Sequence, residues 1–188
     1  MLDSFLRPTQ IKTNQDGGLL RLIACVCMFI DHAGKMLFPQ LTWMRMVGRL
    51  AFPLFAYGIA VGAAMTRHPR QYIARVAALA LVSQPLYAVA LGHTNKAMYA
   101  VPFAQHPLRA LCAFYIESWE KPSILLALLL GLLLLLCLRE KQYVPALLIY
   151  VLCARFSAEL DYGVSGIGLM VVFYLFLEHP ALCFAAST

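Results

Sequence analysis

The sequence predicts an all-α integral membrane protein, a polytopic bundle of about six transmembrane helices. Of its 188 residues, 62% are hydrophobic and only 13% are charged, and the mean hydropathy is +0.74. A soluble domain carries about 25% charged residues. Apolar segments of about the length needed to cross a bilayer, several of them a little short, also recur along most of the chain. The composition therefore excludes an ordinary soluble protein.

Six apolar segments are candidate spans, because crossing a bilayer takes about 20 mostly apolar residues. They cover residues 19–38, 46–66, 72–91, 123–138, 143–157 and 163–179. The fourth is almost entirely Leu, which predicts a helix that faces lipid, packs against its neighbours and carries no chemistry. A single transmembrane domain over 1–188 follows, with a polar N-terminal segment at 1–18 and no separate soluble domain.

Residues 92–122 interrupt this pattern with three prolines and several charged side chains. Proline removes a helix hydrogen bond and restricts the residue before it. We therefore expect a long loop, with an interfacial or re-entrant piece around 97–115. At the N-terminus, the first apolar run contains no small-residue cleavage site, so we expect the first helix to be retained.

The formal net charge of +6 is typical of loop charges that set membrane topology, and no nucleic-acid partner is expected. The cluster Arg67-His68-Pro69-Arg70 favours a cytoplasmic second loop, which would place both termini inside. The six cysteines mostly lie in apolar runs without a C-x-x-C pair. We expect them to be free thiols.

Asp31 and His32 lie inside the first predicted span, where an acidic group and an imidazole are costly unless another group compensates. The pair is therefore a candidate functional site. On a helix, adjacent side chains point about 100° apart, so each needs a partner from another helix. His32 has three interpretations: a general base, a metal ligand or a structural hydrogen-bonded histidine. The general base is favoured because imidazole titrates near neutral pH, and no ligand-spaced second His or Cys supports a metal site.

Arg45 and Arg49 are the nearest candidate partners. Their i, i+4 spacing places them on one helix face at the start of the second span. They can pair with Asp31 or bind an anionic carboxylate or phosphate. The alternative is that both side chains extend to the lipid headgroups.

Two further polar positions lie near the ends of predicted spans. Thr66-Arg67 ends the second span and could terminate it at the level of the lipid headgroups. Asp161 precedes the last span, where it can cap a helix, and Tyr162 can be an interfacial belt residue.

Several of these motifs recur in one order across most of residues 20–175. They are Asp31-His32-Ala33-Gly34, the segment 45–56, Thr66-Arg67 and Asp161-Tyr162-Gly163. In this combination the sequence resembles the TraX family and, more distantly, membrane acyltransferases with an intramembrane His. The resemblance implies an enzyme of the bacterial inner membrane that moves an acetyl group from acetyl-CoA to the N-terminal amine of a pilin subunit.

The resemblance also implies roles for individual residues. His32 and Asp31 would be catalytic, and the phosphates of coenzyme A would be bound by Arg45, Arg49 and Arg67. Substrate or structural support would come from Asp161 and Tyr162, and no metal is expected. Transfer could be direct or could pass through an acetyl-His32 intermediate.

Two other function classes stay open from the sequence. A proton-coupled transporter also places Asp, His and Arg in the membrane, although no internal repeat is evident. A non-catalytic pilin-assembly partner would pack against pilin helices and would not need His32.

Overall fold

The computed structural model describes residues 17–90, 106–155, 162–175 and 177, and in this part of the chain the regular structure is entirely helical. The helices are α1 (Gly17–Met36), α2 (Thr42–Gly48), α3 (Ala51–Met65), α4 (Pro69–Ala90), α5 (Pro107–Glu117), α6 (Ile124–Arg139), α7 (Tyr143–Arg155) and α8 (Gly163–Leu175). A 3₁₀ turn, Ser118–Glu120, follows α5. The predicted all-α class is confirmed.

Three stretches are each long and apolar enough to cross a membrane: α1, the combined α2–α3 segment Thr42–Met65, and α4. A fourth candidate combines Pro107–Glu120 with α6, two helical pieces bent by 68°, as a broken span or a re-entrant loop. The helices α7 and α8 are apolar but shorter. The described helices thus support a membrane bundle, and three or four of them, rather than the predicted six, meet the length criterion for a span.

The core lies between α3, α6 and α8. Phe52 and the alanines of α3 pack with Leu132 and Leu135 of α6 and with Met170 of α8. Small residues on α3 allow this close helix approach. The predicted packing of the Leu-rich segment is therefore confirmed, whereas its predicted exposure to lipid is wrong: α6 contacts α3, α4, α7 and α8 and buries seven of its residues.

A tight hairpin between α1 and α2 positions the polar residues of the first span. The turn is held by hydrogen bonds from Leu37 N to Ala33 O (2.8 Å) and from Leu41 N to Phe38 O (3.0 Å). At Gly34 the two helices are so close that an added Cβ would lie 2.9 Å from Cβ of Met44. This contact brings the end of α1 beside α2, which carries Arg45 and is followed by Arg49.

Candidate functional site

A cavity of about 380 Å³ lies where the end of α1 meets α2, the starts of α3 and α6, and the end of α4. This volume is within the range of about 300–1,000 Å³ typical of ligand pockets. We call it the His32 cavity. Its charged and aromatic lining consists of Asp31, His32, Lys35, Arg45, Arg49, Phe52, Tyr87 and Tyr162.

His32 is half-buried and is held in one orientation by its own helix. Its Nδ1 donates a hydrogen bond to the carbonyl of Met28, one turn earlier, at 2.8 Å. Since a carbonyl only accepts, Nδ1 carries the proton, and Nε2 is the basic nitrogen of the neutral ring. The Tyr87 ring lies edge-on to the imidazole, with centroids 6.1 Å apart and planes at 69°. With the ring held in this way, the neutral imidazole presents Nε2 as its proton-accepting nitrogen, as a general base needs.

Asp31 packs against Gly48 of α2. A Cβ on Gly48 would lie only 2.7 Å from Cγ of Asp31, and closer still to its Cβ. Glycine is therefore required at position 48 for α1 and α2 to approach with this carboxyl group between them. The contact places the Asp31 carboxyl group against Gly48, the residue that precedes Arg49.

Three cationic side chains line the His32 cavity: Lys35, Arg45 and Arg49. The backbone N–H of Arg49 donates to the Arg45 carbonyl at 3.1 Å, so the two arginines lie on successive turns of one helical segment. Asp31 is the acidic residue among the described lining residues. Positive charge therefore predominates, and the cavity favours an anionic ligand.

An aromatic wall closes another side of the cavity. Phe52 and Tyr162 stack with ring centroids 4.1 Å apart and planes at 8°. Tyr162 has a left-handed backbone conformation, with φ of 65°. Gly166 leaves room for both rings, because an added Cβ would lie 2.7 Å from Cζ of Phe52. The wall gives the cavity an apolar surface in addition to its cations.

Gln84, a fully buried side chain of α4, ties this helix to the chain that enters α6. Its Nε2 donates to the Ser118 carbonyl at 2.5 Å and to the Lys121 carbonyl at 3.1 Å. Its Oε1 accepts from the Ser123 backbone N–H at 2.9 Å. Tyr87 and Ile124, which follow these groups along the chain, both line the His32 cavity. Gln84 therefore supports one wall of the site from behind.

The structure brings together five of the residues that sequence reasoning singled out: Asp31, His32, Arg45, Arg49 and Tyr162. Arg67 instead lines a second cavity together with Arg21 and Arg75. Asp161 lies outside the described residues. Their functional roles stay predictions.

Sequence reasoning missed several lining residues. Lys35 could have been found, because it follows Asp31 by four residues and shares its helix face. Tyr87, near the end of a predicted span, has the pattern of an interfacial belt residue, and Gly48 carries no chemical signal of its own. Gln84 lies beside Pro85, so its sequence context indicates only a polar kink near a helix end.

The fold and the cavity define an all-α membrane protein with a cationic, histidine-containing site between its helices. The chain belongs to the TraX family, since residues 16–188 match the family profile described as "TraX protein". No solved structure matches the chain significantly.

Three curated relatives are similar to parts of the chain. A "Probable fimbrial assembly protein FimC, serogroup H1" of Dichelobacter nodosus is 26% identical over 165 residues, covering 85% of this chain and 60% of that protein. "Protein TraX" of Escherichia coli (strain K12) is 33% identical over 66 residues, 35% of this chain and 26% of that protein. An uncharacterized protein of Rickettsia prowazekii (strain Madrid E) is 48% identical over 48 residues, 26% of this chain and 19% of that protein. The chain thus spans less than two thirds of each relative.

Proposed function

We propose that this protein is a multi-pass acetyltransferase of the bacterial inner membrane that moves an acetyl group from acetyl-CoA to the N-terminal amine of a pilin subunit. The observation that supports this most is His32, whose Nδ1–H is held by the Met28 carbonyl while the ring lines a cationic cavity. A neutral imidazole in this tautomer can accept a proton at Nε2.

In the proposed reaction, the acceptor amine attacks the thioester carbonyl carbon while His32 Nε2 takes a proton from the amine. A C–N bond forms and the C–S bond breaks. The proton on His32 then passes to the departing sulfur, which leaves as the free thiol. Because His32 ends as it began, one histidine serves every turnover.

The surrounding charges suit this chemistry. Lys35, Arg45 and Arg49 line the same cavity as His32, and their cations complement the phosphates of coenzyme A. The helix α6 begins at Ile124 on the cavity wall, and a helix N-terminus favours negative charge developing on the carbonyl oxygen. Asp31, held against Gly48, keeps part of this positive charge balanced and orients the end of α1.

Arg67 does not share this cavity, so we assign the phosphate contacts near the reacting centre to Arg45 and Arg49. The acceptor is proposed from the family and from the fimbrial assembly named for the Dichelobacter nodosus relative. An amine at a pilin N-terminus would enter beside the aromatic wall of Phe52 and Tyr162.

The test is acetyl transfer by the purified protein in detergent, with labelled acetyl-CoA and a purified pilin subunit. We expect label on the pilin N-terminal amine, located by mass spectrometry of the N-terminal peptide. His32→Ala should abolish it. His106→Ala is the matched control, because His106 is exposed at the start of α5 and does not line the cavity.

Two outcomes would count against this proposal. If wild-type protein neither labels pilin nor releases coenzyme A, the acetyltransferase proposal fails. If His32→Ala supports normal pilus assembly in cells, the non-catalytic assembly partner is the better explanation.

The route of the acetyl group has its own test. Rapid quenching of wild-type protein with labelled acetyl-CoA in the absence of acceptor should reveal label on His32 if an acetyl-His32 intermediate forms. Its absence, together with normal single-turnover transfer when pilin is present, supports direct attack by the amine.

A further inference from the structure

A second cavity, of about 830 Å³, begins at the ends of α1, α3 and α4 that are farther from His32. Its lining on α1 includes Arg21, which precedes His32 by eleven residues, about 17 Å along a helix. Its lining on α4 includes Tyr72, and Tyr87 borders the His32 cavity about 22 Å further along. The basic ends of the two cavities therefore lie far apart, while the second cavity continues along α3 to Leu54, two residues after Phe52 of the His32 cavity.

One end of this second cavity is strongly basic. Arg21 from α1, Arg67 and His68 from the link between α3 and α4, and Arg75 from α4 converge on it. None of the described residues that line it is acidic. Three guanidinium groups, with no carboxylate among the lining residues that the structure describes, make a site for a phosphate-bearing anion.

The rest of the wall is apolar and follows α3 into the bundle. Leu54, Phe55, Ile59 and Met65 line it. The stretch from Met65 back to Leu54 spans about 17 Å of helix, close to half of a hydrocarbon core of about 30 Å. An acyl chain that starts at the arginines would therefore find an apolar wall about one leaflet deep.

Gly58 shows that this part of the cavity is open. It lines the cavity, and a Cβ added to it would meet nothing within 4 Å. In contrast, Ala60 of the same helix is completely buried. The open face of α3 is thus on the cavity side, where an extended apolar chain can lie.

We propose that the second cavity binds an anionic phospholipid, with its phosphate on Arg21, Arg67 and Arg75 and an acyl chain along the Leu54–Met65 face of α3. A soluble phosphate compound would leave that apolar wall unused. A zwitterionic lipid would bring an ammonium group to a cluster in which none of the described lining residues offers it a carboxylate. This site is separate from the acetyl-transfer chemistry and does not depend on it.

Native mass spectrometry of the 188-residue chain released from detergent measures this binding directly. The probes are dioleoyl phosphatidylglycerol and, as the zwitterionic comparison, dioleoyl phosphatidylcholine. We expect one phosphatidylglycerol to bind at least tenfold more tightly than phosphatidylcholine. The double variant R21Q/R75Q should reduce phosphatidylglycerol affinity at least tenfold, whereas R70Q should leave it within twofold, because Arg70 is exposed beside the cavity without lining it.

A second pair of variants tests the acyl part of the cavity without removing charge. Gly58→Leu fills the open face and should weaken phosphatidylglycerol binding several-fold. Gly168→Leu is its control, since Gly168 also has open space around an added Cβ but lies on α8 away from this cavity. Both substitutions replace a helical glycine, so both should retain the fold.

The proposal is overturned by any of three results. The two lipids could bind equally, R21Q/R75Q could match R70Q, or excess coenzyme A or inorganic phosphate could displace the lipid. The last result would make the cavity a site for a soluble phosphate compound. Since no acetyl donor or acceptor is needed, these results stand apart from the success or failure of the acetyltransferase assay.

Discussion

Replacement of Gln84 by Leu tests whether one buried amide holds α4 to the start of α6. Gln84, Ser118 and Ser123 are at most 3% exposed, and the Gln84 amide satisfies two backbone carbonyls and one backbone N–H. Leu has a similar size but cannot hydrogen-bond. The substitution therefore removes the partners while leaving the packing volume nearly unchanged.

The magnitude follows from the groups left unpaired. The Ser118 carbonyl and the Ser123 N–H lose their Gln84 partner in a buried setting, and each such loss costs about 1–3 kcal/mol. The Lys121 carbonyl belongs to an exposed residue, where water can replace the amide. We expect Gln84→Leu to lower the free energy of unfolding by about 4 kcal/mol, roughly a thousandfold in the folded-to-unfolded ratio.

The assay is equilibrium unfolding of the protein in bicelles, monitored by steric trapping or by fluorescence of Trp119 in the adjacent 3₁₀ turn. Gln71→Leu is the matched control on the same helix, because Gln71 is exposed; it should change stability by about 0.5 kcal/mol or less. A loss below about 1 kcal/mol for Gln84→Leu, or equal effects for both variants, would refute this account of the contact.

Three further substitutions test the site and its supports. Gly48→Ala should displace Asp31 and lower both acetyl transfer and stability, although Ala is the better helix former by about 1 kcal/mol. Its control is Gly18→Ala, which has open space around the added Cβ and should be neutral or stabilising in thermal unfolding. Equal results for the two variants would contradict the close approach of Asp31 and Gly48. Arg139→Gln should lower the free energy of unfolding by about 2 kcal/mol, because Arg139 donates hydrogen bonds to the Ala63 and Thr66 carbonyls at the end of α3. An unchanged midpoint of equilibrium unfolding would show that water replaces the side chain. Phe52→Leu should remove about 1 kcal/mol of stacking on Tyr162. In the transfer assay it should raise the KM for the acceptor more than it lowers kcat. An unchanged KM would show that the acceptor binds elsewhere.

The helical membrane class was predictable because hydrophobic runs and scarce charges follow directly from the bilayer's cost for polar groups. The meeting of Asp31 and His32 with Arg45 and Arg49 was also within reach. These residues lie on two consecutive segments joined by a short turn, so an antiparallel hairpin brings them to the same depth.

The separation of Arg67 from Arg49 was predictable in the same way, although the family resemblance led to both being assigned to one phosphate site. Arg49 and Arg67 are eighteen residues apart, close to either end of one helical segment, which separates them by about 27 Å. The two arginines could contact the same phosphates only if the chain reversed direction within this span. The structure places Arg67 with Arg21 and Arg75 instead.

The burial of α6 could not be read from its sequence. A segment that is Leu on every face has no preferred apolar side, so lipid and protein neighbours are equivalent for it. Its central place depends on partners from elsewhere in the chain, such as Met170 against Gly131 and Arg139 against the end of α3. The buried amide of Gln84 depends likewise on a turn more than thirty residues away.

The most direct test of the account is chemical rescue of the proposed base. Acetyl transfer to pilin is measured with His32→Ala, without and with added imidazole, in parallel with the wild-type protein. The account predicts a loss of about 10²- to 10⁴-fold and partial recovery that rises with imidazole concentration, because imidazole can occupy the space beside Tyr87 and accept the proton. Transfer by His32→Ala at the wild-type rate would contradict the central claim that Nε2 of His32 is the catalytic base.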